Sequence, residues 1–531
     1  MKRPQWFKAH YLAFVLPAAM FTGSWLVCAV PIQQAYIKAS NTGAADNFGS
    51  KVSMSGDTLI VAAPGESSNA VGVNGNQTNN LARGSGAAYV FVRTGTNWIQ
   101  QAYLKASNTE RLDEFGRSVS ISGETLVVGA SFEDSSATGV NGDQTNNSDP
   151  DSGAAYVFVR DGTNWSQQAY LKPFVATQGN CCFGQAVAIS GDTIIVGSRF
   201  GVAHIFVRNG TNWFPQTHLD GAVTGVEHGF GHAVAISRDT TVVGASLDSS
   251  DATGVNGTPN NMNSLHSGAA YIFVRTGTNW SQQAYLKASN NNPHDRFGIA
   301  VATSGDTVIV GAFAEDSNAT GVNGNQNDDS VMDAGAAYVF VRTDTNWSQQ
   351  AYLKAFPTSN SAWFGISVAL LGDLATVGAR ESDTAYTFRR WGTNWEEQFY
   401  IKGSITEDSD AFGSAVAVSE DTVVVAAERE ASNATGVNGD QSNNGMGWSG
   451  AVYVFTGVVT GPRLAIAPDG NGGYFIRCHA ATGVNYQLLR ATNVTGLWTT
   501  NIATITLSPG LLEFHDTNAP HGQAFYRVVH E

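Results

Sequence analysis

The dipeptide Phe-Gly recurs at residues 48–49, 115–116, 183–184, 230–231, 297–298, 364–365 and 412–413, in steps of 67, 68, 47, 67, 67 and 48 residues. A period of that length means stacked copies of one supersecondary unit, each too small to bury its own apolar face alone. Residues 297–356 are a representative copy. They contain four apolar runs, IAVATS, TVIVGA, GAAYVFVR and NWSQQAYLKA, rich in Val, Ile, Ala, Tyr and Phe and bounded by Gly, Asn, Asp or Thr. That is a strand signal, and no window carries a sustained helical period.

Gly305-Asp306 joins the first two runs, and Gly56-Asp57, Gly123-Glu124, Gly191-Asp192 and Gly372-Asp373 stand in the same place. Glycine at the first central position is what a two-residue type II′ hairpin asks for. Arg238-Asp239 and Glu420-Asp421 break the pattern, so these two turns are expected to differ. Each unit reads as a four-stranded antiparallel meander, and seven around an axis make an all-β, seven-bladed β-propeller.

The seventh unit stops after AVYVFTG (451–457). At the other end IQQAYIKAS (32–40) matches the fourth strands at 101–107 and 282–289 but has no blade of its own. The N-terminal strand is therefore expected to complete the last blade, hiding edges that would otherwise pair with other chains.

The Phe-Gly opening, the VVGA-type second strand and the GAAYVFV third strand resemble the FG-GAP repeats of integrin α-subunit propellers, more closely a bacterial form with a tight first turn. The resemblance covers about residues 32–456. It implies a propeller used for extracellular binding. Many FG-GAP repeats carry an Asp-x-Asp-x-Asp-Gly calcium loop between strands one and two. This chain has Gly-Asp turns there, so that site does not transfer.

Residues 1–29 read as a signal peptide: Lys2, Arg3 and Lys8 precede an apolar run, and Val27-Cys28-Ala29 suits cleavage after Ala29. The run is also long enough for an uncleaved membrane anchor. The propeller is expected over 30–457 and a linker over 458–462. Residues 463–531 read as a small β-sandwich-like domain with six strand-like runs. Formal charge is −15, or −18 once Lys2, Arg3 and Lys8 leave. Such acidity argues against nucleic acid and anionic membranes as partners. Four cysteines, two adjacent at 181–182, supply no disulfide framework.

No nucleophile elbow, phosphate loop, HExxH or CxxC motif is present, so a catalytic constellation is not expected. His204, His218, His228 and His232 gather near Cys181 and Cys182, but the four-residue step of His228 and His232 falls on a loop-to-strand junction. That spacing brings ligands together on a helix, so replacement within a diverged repeat is favoured over a metal site.

Units 1, 2, 4, 5 and 7 carry a long insertion between strands two and three, with a core of Ala-Thr-Gly-Val-Asn-Gly or a close variant. Its alignment gives an acidic column, Glu66, Glu133, Asp248, Glu315 and Glu430. A second column holds Asn74, Asn141, Asn256, Asn323 and Asn438, and Asn76, Asp143, Asn325 and Asp440 lie two residues further. Carboxylates and amide oxygens in Gly-rich turns suit Ca²⁺, with Glu133, Asp143, Glu315 and Asp440 as candidate ligands. Solubility and turn formation are the plainer explanation.

In a meander, connections 2–3 and 4–1 emerge at one end of every blade. That end is the expected recognition face. The expected function is a secreted or cell-surface monomer binding a glycan or a protein there, with calcium as the candidate ion, and the repetition of polar residues suggests multivalence. A polysaccharide lyase or hydrolase and a structural envelope protein are the alternatives, because fold does not settle function.

Overall fold

The computed structural model describes residues 31–458 apart from 176–181, 199–200, 222–227, 260, 406 and 408, and the backbone of six strands between 464 and 530. The signal segment, Cys28, Cys181 and the linker at 459–462 lie outside the described residues. Among the described residues no helix is long and apolar enough to cross a membrane.

Seven four-stranded antiparallel sheets follow one another around a ring. Blade five is typical: Ala300–Ser304, Thr307–Ala312, Ala336–Thr343 and Asn346–Leu353, hydrogen-bonded in that order. Blade seven takes three strands from the end of the repeat region and its fourth, Ile32–Ile37, from the beginning. Ile32 lies opposite Thr456 and Ile37 opposite Val452. The closure read from the sequence is therefore present.

Second strands are buried along their whole length. Their side chains alternate between the two neighbouring blades, which explains why they are apolar on both faces. First strands line an axial cavity of about 300 Å³, to which every blade contributes a valine: Val52, Val119, Val187, Val234, Val301, Val368 and Val416.

The Phe-Gly signature works at the joints. Six of the phenylalanines pack edge-on against the strand-three tyrosine and phenylalanine of their own blade, as Phe297 does with Tyr338 and Phe340, and in blade three Phe183 meets His204 and Phe206. Phe115, Phe183, Phe297 and Phe364 also bridge in parallel to the glycine before the previous blade's third strand, as in Gly86 with Phe115. A Cβ on Gly86 would lie 2.0 Å from the Phe115 carbonyl oxygen, so only glycine fits. At the outer edge a tryptophan donates from Nε1 to a glutamine of the preceding blade's fourth strand, Trp165 to Gln101 at 2.8 Å. Trp98 does the same to Gln34 of the N-terminal strand at 2.9 Å, so this joint also runs through the closure.

The first-turn expectation needs one correction. Arg238 (φ 54°) and Glu420 (φ 49°) adopt the same left-handed conformation as Gly305 (φ 58°). The strands impose it, because Ser237 pairs with Thr240 just as Ser304 pairs with Thr307. Interblade bonds also repeat there: Arg238 N–H donates to Ser190 Oγ and Gly305 N–H to Ser237 Oγ.

The C-terminal unit is described by its backbone. Its six strands fall where the six apolar runs predicted them and form two three-stranded antiparallel sheets.

Candidate ligand-binding face

The acidic column does not face solvent. Glu133 is 1% exposed, and its Oε2 accepts from Lys172 Nζ at 2.7 Å. Its Oε1 accepts from the Tyr170 hydroxyl and from Asn108 Nδ2, each at 2.8 Å. Lys172 also donates to Ser152 Oγ at 2.7 Å. The same clasp joins Glu66 to Lys105 at 2.8 Å, Glu315 to Lys354 at 2.6 Å and Glu430 to Lys38 at 2.6 Å. Asp248, one methylene shorter, reaches Lys287 only at 3.2 Å. Burial pushes all five lysines below the usual ammonium range, opposed by the facing carboxylate. The acidic column expected to offer ligands on the recognition face is thus corrected to a set of buried ion pairs. Each loop folds back over its own fourth strand, where the lysine of the AYLK run neutralises it.

The first asparagine column is structural as well. Asn141 sits at φ 56°; its N–H donates to the Tyr170 carbonyl at 2.8 Å and its Oδ1 accepts from Tyr170 N–H at 2.9 Å. Asn74, Asn256, Asn323 and Asn438 repeat this. The Val-Asn-Gly core therefore lies along the outer edge of strand four as a short extra strand, with bridges such as Val140 to Leu171. The long loops are edge covers before they are anything else.

The residues two further along do stay in solvent. Asp143 Oδ1 accepts from Thr145 N–H and Oγ, which holds its carboxyl below the usual range, and Asp440 does the same with Ser442. The four candidate calcium ligands do not come together. Glu133 and Glu315 are closed onto lysines in different blades, and Asp143 and Asp440 stand on two separate loops. A calcium ion at either buried carboxylate would have to displace an ammonium from a sealed pocket, so these residues do not fit that ion. Among the described residues no three His, Cys, Asp or Glu side chains form a metal-holding group. His204 and His218 face one another in blade three as Tyr156 and Tyr170 do in blade two, the replacement that the sequence favoured. Burial pushes His204 down to about 3.

The end of each long loop is clasped by the chain entering the next blade: Leu112, Glu114 and Phe115 donate their N–H groups to the carbonyls of Arg83, Gly84 and Ser85. The clasp repeats at the four other long loops, through Phe183, Phe297, Phe364 and Phe48. It fixes two rim positions in the left-handed region. One carries Gly84, Asp151, His266, Asp333 and Trp448; the other carries Glu114, Cys182, Arg296, Trp363 and Asn47. Scaffold positions are nearly constant between units, but these two are not. Sequence reasoning missed them because it followed columns that repeat; aligning the loops on the glycine before strand three brings them out.

Side chains on blades five to seven form a belt of aromatic and ionic contacts. Phe313 meets Trp363 edge-on at 5.1 Å, and Arg380 lies 5.7 Å from the Trp363 ring and 2.7 Å from Glu428. Arg429 lies 5.7 Å from the ring of Trp448, which is 57% exposed. Beneath the rim runs another unread column. Asp46, Asp113, Asp295 and Asp410 each accept the backbone N–H three residues earlier. Burial pushes them up to about 7, 7, 8 and 6.

Two solved structures are similar to this chain at low identity. The crystal structure of RRP9 WD40 repeats has 9% identity and a TM-score of 0.42, over 80% of this chain and 99% of that one. The crystal structure of the mitotic checkpoint complex has 11% identity and a TM-score of 0.44, over 85% and 100%. Likeness at that level carries no argument about function. No curated protein matches. The FG-GAP repeat matches residues 32–91, 98–158, 220–273, 280–340 and 347–388, together more than half of the chain. On that coverage, and with its Phe-Gly joints and seven four-stranded blades in view, the chain belongs to the FG-GAP repeat family.

Proposed function

We propose that this is an extracellular binding protein, not an enzyme, and that it holds one asymmetric glycan or protein ligand on the face formed by the 2–3 and 4–1 connections. One observation carries the reading. In near-identical repeats, the two rim positions of that face differ from blade to blade, from Gly84 to Trp448 and from Glu114 to Trp363. Identical rim residues would suit many copies of one small ligand. A rim that is acidic near Asp151, basic near Arg296 and aromatic near Trp363 and Trp448 suits a single larger partner. The αL backbone at these positions is fixed by the clasp, so the side chains are presented without ordering a loop on binding, which lowers its entropic cost. The basic, apolar N-terminal segment and the family support the extracellular setting.

The test is a glycan and extracellular-protein array probed with the parent, with Trp363→Ala and Trp448→Ala, and with Gly305→Ala on the opposite end. Binding that falls in the two rim variants and persists in Gly305→Ala supports the reading. A ligand held equally by all four proteins refutes it. Turnover of an arrayed polysaccharide would make the enzyme alternative the better one.

A further inference from the structure

In five blades the outer edge of strand four is covered. A Gly-Val-Asn segment lies on it; the lysine N–H donates to the glycine carbonyl, as Lys172 does to Gly139 at 2.8 Å, and a carboxylate from the same loop meets the lysine Nζ. Blade six lacks the loop. Its strand Asn394–Ile401 keeps the register, with Tyr386 opposite Tyr400 as Tyr156 is opposite Tyr170. Tyr400 N–H and C=O therefore point outward as those of Tyr170 do. Tyr400 is 48% exposed, whereas Tyr170 is 0%. Lys402 stands in the lysine column and is exposed, and among the described residues no carboxylate forms an ion pair with it. The nearby Asp383 feels the charge of Lys402 at a distance but gives its oxygens to the N–H groups of Ser409 and Phe412.

Blade three also lacks the loop, but its edge is guarded. Pro215 removes a donor, and Asp220, paired with His218 at 3.4 Å, stands where the lysine would be. Among the described residues, blade six alone joins an uncovered edge to an unpaired lysine.

We infer that the edge of blade six at Tyr400–Lys402 is a docking site for an extended acidic segment of a partner protein, added as an extra strand with its carboxylate on Lys402. The five internal covers supply the template: an extended Gly-apolar-Asn run gives the backbone bonds, and an acid supplies the charge that Lys402 lacks. This is strand addition to a sheet edge, in which backbone bonds give affinity and side-chain pairing gives selectivity. The site lies on the outer edge of the ring and does not depend on the loop-face reading.

The experiment uses the full chain and a fluorescent peptide copying residues 315–324, EDSNATGVNG, with binding read by anisotropy. Saturable binding is expected. Lys402→Glu and Tyr400→Pro, the latter removing the outward N–H together with the ring that meets Tyr386 edge-on, should each weaken it by about ten-fold or more. Both positions are exposed, and unchanged melting curves will show that the variants are folded. A peptide with its first residue changed to lysine should also fail. Absence of saturable binding, or equal binding by both variants, overturns the proposal. Self-association of the parent in sedimentation velocity that Tyr400→Pro abolishes would make the occupant a second copy, and would overturn the assignment to a separate partner.

Discussion

Glu133→Ala removes three bonds at once. Lys172 loses its 2.7 Å acceptor, and Tyr170 and Asn108 lose their 2.8 Å contacts, while the lysine stays 1% exposed. Breaking a buried pair from one side leaves an uncompensated charge and costs about 3–5 kcal/mol. Replacing both partners by apolar groups of similar volume is near neutral, so Glu133→Leu with Lys172→Met should recover most of the loss. The loss should also depend on pH. Without Glu133, burial holds the folded lysine further below its unfolded value of about 10.4. Between those two values the unfolded chain binds more protons, so the variant regains stability as pH rises toward 10.5. Urea unfolding of parent, single and double variants at pH 7 and pH 9.5, with and without excess calcium, measures this. Two results refute the reasoning: a single-variant loss below about 1 kcal/mol, the level of an ordinary substitution, or a double variant no better than the single. Calcium stabilising the parent but not Glu133→Ala would return that carboxylate to the metal.

Three further outcomes are expected. Deleting residues 32–40 strips Ala451–Thr456 of its partner and Glu430 of Lys38, and should cause aggregation or a loss far above the roughly 1 kcal/mol of a point change; a monomeric variant with the parent's melting temperature would exclude the closure. Arg238→Gly relieves a left-handed residue at φ 54° and should raise stability by up to about 1 kcal/mol by thermal unfolding; a decrease would count against the turn geometry. Burial pushes Asp113 and Asp295 up to about 7 and about 8 in the fold, above the ordinary carboxylate value of about 3.9, so the folded chain binds more protons and loses stability as pH rises from about 4 to 8. Asp113→Asn with Asp295→Asn should flatten that slope and stabilise at pH 8; an unchanged slope would show that these carboxyls ionise freely.

Strand positions, blade number and ring closure were legible because they rest on period and alternation, which one sequence displays. IQQAYIKAS placed its own partner by matching QQAYLKAS. The acidic column was found but misplaced. Its counterpart was also readable: Lys105, Lys172, Lys287, Lys354 and Lys38 recur in the same five blades, and of the two units that lack the loop, unit three has Asp220 in that place and unit six Lys402. What single columns do not reveal is that the loop turns back across strand four. The rim residues were hidden for the opposite reason: their positions are set by backbone bonds between blades, and their identities share nothing that a repeat alignment rewards.

The closure also decides how the ring meets tension. Ile32 lies opposite Thr456, so the chain enters and leaves blade seven at the same end of one antiparallel strand pair. A force pulling residues 31 and 458 apart peels that pair open one bond at a time instead of loading all its bonds together. The Gln34 bond to Trp98 gives way with it, while the other six blades carry little load. Under force, blade seven is the fuse of the ring.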